Sequence, residues 1–208
     1  CVANRENVHI EPQLKQPFMT GLDVLLENDC SHLKGKAVGL ITNQTGVTSK
    51  MVQNIDAFIK SKNVDLKAIF SPEHGLVGSV SAGEKIYNKT DSIYGIPLYS
   101  LYGNNKKPNK DMLKNLDILV FDIQDIGIRS YTYISTMGLA MEAAQESGLE
   151  FMVLDRPNPL GLKKIEGNIL SLSFKSFIGR YPIPYVHGLT SGELAKMINE
   201  QGWLEGGK

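Results

Sequence analysis

Asp117-Ile-Leu-Val-Phe-Asp-Ile123, running on into Gln124-Asp-Ile-Gly-Ile-Arg-Ser-Tyr-Thr-Tyr133, decides the fold. The first stretch is almost continuously apolar. It lacks the alternation that would leave one face to water, so it predicts a strand covered on both sides, as in a parallel sheet. Polar residues begin where the apolar run stops, and Thr132 to Ser147 then has helical spacing, closed by Gly148, the residue favoured just past a helix C-terminus. Glu150 to Leu154 (EFMVL) predicts the next strand, which makes the stretch a right-handed βαβ unit.

The same alternation extends in both directions. Toward the N-terminus lie a helix over Phe18 to Asn28 with Leu22, Leu25 and Leu26 on one face, and a strand over Lys36 to Thr42 (KAVGLIT). A helix over Lys50 to Lys60, carrying Met51, Ile55, Phe58 and Ile59, is followed by strands over Asp65 to Phe70 (DLKAIF) and Pro97 to Leu101. Toward the C-terminus a helix over Ser191 to Gln201 starts at a capping Ser191. The expectation is an α/β fold: a doubly wound, mostly parallel, Rossmann-like sheet with helices on both faces, over residues 18–208. Residues 1–17 are polar and read as a tether.

Composition narrows the function. The 208 residues carry 22 Lys plus Arg and 22 Asp plus Glu, a formal net charge of zero, so no global field draws in nucleic acid. No apolar run approaches the ~20 residues of a membrane-spanning helix. The two cysteines, Cys1 and Cys30, are too few for a zinc site or a disulfide framework. Cys30 is expected to be a small buried hydrophobe. A chain opening on Cys followed by a polar tether looks like a bacterial lipoprotein after signal-peptide removal, held in the cell envelope or periplasm by a lipid on Cys1; that anchor is then its one membrane contact. No metal and no cofactor are expected, since His74 and His187 lack metal-ligand spacing.

Polar residues cluster after the strands: Asn43 and Thr45; Glu73 and His74; Ser100 and Tyr102; Gln124 and Asp125; Asp155 and Arg156. In an open α/β sheet all these strand ends share one edge, where ligands bind. Turn formation accounts for some of these residues, but not readily for Glu73-His74, Gln124-Asp125 and Arg129. In Ser71-Pro-Glu-His-Gly75 a carboxyl and an imidazole are presented between a rigid Pro and a flexible Gly, and a carboxyl partly withdrawn from water can hold a proton for a leaving group. Gly78 to Lys85 (GSVSAGEK) is not a phosphate-binding loop, because Glu84 separates Gly83 from Lys85 and Ile86 follows; it reads as a flap over the cleft. In the 122–129 stretch alternation sends Asp122 and Gln124 to one face and Ile123 and Asp125 to the other. Buried carboxylates there need a partner, for which Arg129 is the nearest, and the alternative use of Arg129 is to grip a substrate carboxylate. Tyr131 and Tyr133 suit either core packing or stacking on a sugar.

Taken together, ITNQTG at 41–46, FSPEHGLVG at 70–78, DIQDIGIRSYTY at 122–133, LDRPNPLG at 154–161 and HGLTSGELA at 187–195 resemble the NamZ-type exo-β-N-acetylmuramidases, glycoside hydrolases long carried as a family of unknown function. The resemblance runs from about Gly21 to Gly207, with one departure, Leu162 after Gly161 where a second small residue is expected. It implies release of N-acetylmuramic acid from the non-reducing end of peptidoglycan fragments, by a Rossmann-like domain that the family follows with a smaller C-terminal domain. The resemblance makes Glu73 the catalytic acid. It places Asn43, His74, Gln124, Asp125, Arg129, Tyr131, Asp155, Arg156 and His187 at the sugar, to which the strand-end position adds Tyr102. Asp125, or the substrate's own acetamido oxygen, would stabilise the oxocarbenium-like centre. Arg129 or Arg156 would meet the lactyl carboxylate. Relatives are close to twice this length, so the chain is expected to be the N-terminal part of such an enzyme. The rival expectation is a muropeptide-binding lipoprotein without catalysis.

Overall fold

The computed structural model describes residues 18–73, 75–76, 89–90, 94–103 and 105–206. Three expectations lie outside the described residues: the tether with its anchoring Cys1, His74, and the flap over Gly78 to Lys85. In chain order the elements are α1 (Gly21–Glu27), β1 (Ala37–Thr42), α2 (Asn54–Lys60), β2 (Asp65–Ser71), β3 (Lys89–Thr90), β4 (Pro97–Ser100), α3 (Lys110–Leu113), β5 (Ile118–Asp122), α4 (Tyr133–Ser147), β6 (Glu150–Val153) and α5 (Ser191–Glu200). The sheet order is β3-β4-β2-β1-β5-β6. All pairings among β4, β2, β1, β5 and β6 are parallel, and the two-residue β3 runs antiparallel along β4. The expected doubly wound sheet is therefore present. From the β1–β5 junction the chain winds outward in opposite directions, so that junction is the topological switch point.

Registers Thr42↔Asp122 and Ser71↔Ser100 bring the strand ends level on one rim. The strands are apolar throughout because each face meets helices. Val38, Leu40, Ile69, Ile118 and Val120 pack with Leu22, Leu25, Leu33, Ile55 and Phe58 on the α1/α2 side. Ile41, Phe70, Leu119 and Phe121 pack with Ile134, Met137, Ala140, Leu194 and Ile198 on the α4/α5 side. At seven residues α2 is too short to persist alone; burial of Ile55 and Phe58, about 1.5–3 kcal/mol each, holds it against the sheet.

Helix ends differ from the expected ones for local reasons. α1 starts at Gly21 because Thr20 and Asp23 form a capping box. α2 starts only at Asn54, since Val47 bridges Gln53 and Thr48 N–H bonds Val52 O, closing a loop over the preceding residues. The cap of α5 is Thr190, not Ser191, again in a capping box, here with Glu193. Gly148 ends α4 at φ 68°, as the sequence predicts. Strand β5 ends at Asp122, so the alternation expected to carry on through Gln124 and Asp125 stops there. Cys30 is fully buried and unpaired, as expected, and burial pushes its thiol pKa up. No described helix is long and apolar enough to cross a membrane.

Candidate functional site

The floor of the rim is a buried polar cluster at the switch point. Asp122 Oδ1 accepts from Arg156 Nε at 2.7 Å, and Asp122 Oδ2 from Asn54 Nδ2 at 2.7 Å. Arg156 also donates through Nη2 to Val47 O at 2.9 Å, and Thr42 Oγ1 donates to Asp122 O at 3.0 Å. Burial raises the Asp122 pKa, while the Arg156 guanidinium and the Asn54 amide oppose the rise. This corrects the expected pairing: the partner of Asp122 is Arg156, not Arg129. Gly46 has no room for a Cβ, which would collide with Asn54 and Thr42.

Above that floor the strand-end loops are stitched together. Asn43 Oδ1 accepts from Thr45 N–H at 2.9 Å and Thr45 Oγ1 at 2.6 Å, and Thr45 Oγ1 accepts from Gln124 N–H at 2.9 Å. Gln124 Nε2 in turn donates to Asp125 O at 2.7 Å and Pro157 O at 2.8 Å. Three loops, after β1, β5 and β6, are thus locked in place. Asn43 is buried, and its Oδ1 is the acceptor that gathers this loop.

Asp125 meets His187, with His187 Nε2 3.5 Å from Asp125 Oδ2 and both side chains buried. Oδ2 is held by Gly127 N–H at 2.7 Å. Leu189 N–H donates to His187 Nδ1 at 3.2 Å, which assigns the ring proton of the neutral imidazole to Nε2, facing Asp125. The approach falls short of hydrogen-bond geometry, and Asp125 Oδ1 and His187 Nε2 are left without a hydrogen-bond partner among the described residues. Gly127 has φ 78°, and Asn158 occupies the place of any Cβ, so this corner admits only glycine.

Glu73 follows β2 and is part-exposed, with Oε2 accepting from Thr132 Oγ1 at 3.3 Å. Tyr133 is buried behind it. Burial above all lifts the Tyr133 phenol above its usual pKa; Tyr131 and Glu73 add to the rise and the Asn43 amide opposes it. The rings of Tyr131 and Tyr133 meet edge to face at 4.7 Å. Tyr102 lies two residues beyond β4, half-buried.

Arg129 and Asp155 engage the outer loops. Arg129 N–H bonds Tyr185 O at 2.7 Å, and its Nη1 donates to Asn168 O at 2.7 Å and Ile183 O at 2.6 Å, clasping the irregular stretch between β6 and α5. Asp155 Oδ1 accepts from Gly192 N–H at 2.8 Å and its Oδ2 from Thr190 Oγ1 at 2.7 Å, fixing the start of α5. Asn43, Gln124, Asp125 and His187 are therefore linked along the rim, Glu73 and Tyr131 stand together at the start of α4, Arg156 lies beneath the linked set, and Arg129 and Asp155 hold the outer loops. Asn54 and Thr132 belong to this assembly but were not among the expected site residues, and Tyr133, which suited either core packing or sugar stacking, is buried in the core. Asn54 left one signal, a polar residue beside the apolar positions of an amphipathic pattern. Among the described residues no cluster of three His, Cys, Asp or Glu side chains is placed to hold a metal ion.

Residues 38–207 match a family model described as exo-beta-N-acetylmuramidase NamZ, N-terminal. The peptidoglycan beta-N-acetylmuramidase NamZ of Bacillus subtilis (strain 168) is 51% identical over 187 residues, 90% of this chain and 45% of that protein. Crystal structures of two DUF1343 family proteins from Bacteroides fragilis NCTC 9343 match with TM-scores of 0.84 and 0.77 at 52% and 38% identity. Each match covers 90% of this chain, and 47% and 48% of those chains respectively. The chain spans about half the length of the relatives it matches.

Proposed function

The chain belongs to the N-terminal family of exo-β-N-acetylmuramidase NamZ, and on that premise we propose that it is the catalytic domain of an exo-acting glycoside hydrolase. Its substrate is the N-acetylmuramic acid at the non-reducing end of peptidoglycan fragments. The observation that carries this reading is that the part-exposed carboxyl of Glu73 stands on the same strand-end rim as the buried pair Asp125 and His187, whose Oδ1 and Nε2 have no hydrogen-bond partner among the described residues. A buried polar group without a partner costs about 1–3 kcal/mol. A sugar bearing hydroxyl and acetamido groups offers both the acceptors and the donors that would meet them.

In this mechanism Glu73 gives its proton to the glycosidic oxygen as the bond from C1 to that oxygen breaks. Asp125, oriented by Gly127 N–H, faces the positive charge that grows on C1 and the ring oxygen. Water then adds its oxygen to C1 and returns a proton to Glu73. Arg129, half-exposed on the rim wall, is the guanidinium for the lactyl carboxylate, since Arg156 is enclosed and spent on Asp122 and Val47.

The test is to incubate the protein with the β-1,4-linked disaccharide of N-acetylmuramic acid and N-acetylglucosamine, and to follow products by mass spectrometry. Free N-acetylmuramic acid is expected from fragments ending in that sugar and none from fragments ending in N-acetylglucosamine. Calorimetric binding without release would favour the muropeptide-binding alternative, and neither binding nor release would contradict both.

A further inference from the structure

We propose that Thr132 is a positioning residue for Glu73, an assignment that rests on the reading of Glu73 as the acid. Thr132 stands immediately before α4, where a Ser or Thr hydroxyl ordinarily accepts from the N–H groups of the first helical turn. It makes no such cap. Its backbone is already helical, at φ −70° and ψ −7°, and its carbonyl oxygen accepts from Ser135 N–H and Thr136 N–H, both at 3.0 Å. Its hydroxyl instead reaches across 59 residues of chain to Glu73 Oε2 at 3.3 Å. With its backbone inside the helix the hydroxyl is not turned onto the first-turn N–H groups, and Glu73 is the side chain it meets.

The direction of that bond matters to the chemistry. A hydroxyl that donates to Oε2 makes Oε2 the acceptor oxygen of the carboxylic acid, so the transferable proton is carried by Oε1. Thr132 thereby selects which oxygen serves as the acid, and with α4 seated through Ile134 and Met137 on the sheet it fixes the carboxyl plane. Tyr133, the first residue of α4, is buried in the core and packs edge to face with Tyr131, which anchors that end of the helix. When hydroxyl and carboxyl part, the acid samples rotamers in which Oε1 misses the glycosidic oxygen. Misplacement on the order of 1 Å costs up to about 100-fold in rate.

Leaving-group dependence separates positioning of an acid from simple support of the fold. Wild type, Thr132→Val, Thr132→Ser and Glu73→Gln are compared on a muraminide with a sugar leaving group, which needs protonation, and on one with 2,4-dinitrophenol, which does not. Thr132→Val is expected to lower kcat about 10- to 100-fold on the sugar substrate, with KM unchanged and little effect on the dinitrophenyl substrate. Thr132→Ser, which keeps the hydroxyl, is expected to restore kcat to within a few-fold of wild type. If Glu73→Gln is inactive on the sugar substrate while Thr132→Val matches wild type, or loses equally on both substrates, the positioning role is overturned and the acid assignment stands. If Glu73→Gln matches wild type, both fall together. Should Thr132→Val not fold, Thr132→Ala against Thr132→Ser carries the same comparison.

Discussion

Arg156 Nε lies 2.7 Å from Asp122 Oδ1 with both side chains buried, so the switch point of the sheet is held by an internal ion pair beneath the strand-end rim. Removing one member leaves an uncompensated charge in a site that water does not reach. Arg156→Ala is therefore expected to destabilise the protein by about 3–5 kcal/mol, read as a fall in the urea midpoint at unchanged slope. A variant as stable as wild type that had lost only sugar binding would assign Arg156 to the substrate instead.

Gly138 sits inside α4, where helix propensity alone favours alanine by up to about 1 kcal/mol. The Tyr181 hydroxyl occupies the space of a Cβ at that position. Gly138→Ala should thus lower stability, by about 1–3 kcal/mol as an overpacked core does, and Gly138→Ala with Tyr181→Phe should recover part of the loss. Thermal unfolding of the two variants decides this; a stabilised single variant would show that Tyr181 gives way freely.

Asp23 supplies a pH test. Burial works to raise its pKa, but the backbone N–H groups of Ser49 and Thr20 and both hydroxyls outweigh burial and hold it below 3.8. A depressed folded pKa contributes stability that is present above the unfolded pKa of 3.8 and is lost as pH falls through the lower folded value. Asp23→Ala should accordingly be less stable than wild type at pH 6, with the gap closing below pH 3.8. A gap that does not vary with pH would mean the carboxylate's charge is not what ties α1 to the loop at Ser49.

Arg129 is expected to discriminate between sugars. Arg129→Lys loses the planar fork that matches a carboxylate, so KM for a muraminide should rise about tenfold while KM for the matching glucosaminide, which has no lactyl group, stays within a few-fold. Equal rises on both would limit Arg129 to clasping the Asn168 and Ile183 carbonyls.

The sheet was legible because its strands carry the apolar continuity that burial on both faces demands, and DILVFDI shows it without help from tertiary structure. The pairing beneath the rim was not. Arg129 is nearer to Asp122 along the chain, yet Gly127 turns the backbone and sends Arg129 to the carbonyls of residues 168 and 183, while Arg156 arrives from the end of β6. The cap of α5 was off by one because Thr190 and Ser191 carry the same local signal. What selects Thr190 is the Asp155 carboxylate, which takes its hydroxyl and the Gly192 N–H. The approach of His187 to Asp125 likewise depends on β5 and the start of α5 sharing an edge, which no local pattern encodes.

The central claim is that the Glu73 carboxyl delivers the proton that frees the leaving sugar, and Glu73→Gln tests it most directly. The variant keeps the shape and can still accept from Thr132 Oγ1, but it has no acid proton to give. On the disaccharide of N-acetylmuramic acid and N-acetylglucosamine, kcat should fall by about 100- to 10,000-fold, the range of a lost general acid, with binding retained by calorimetry. Wild-type turnover by Glu73→Gln would contradict the account.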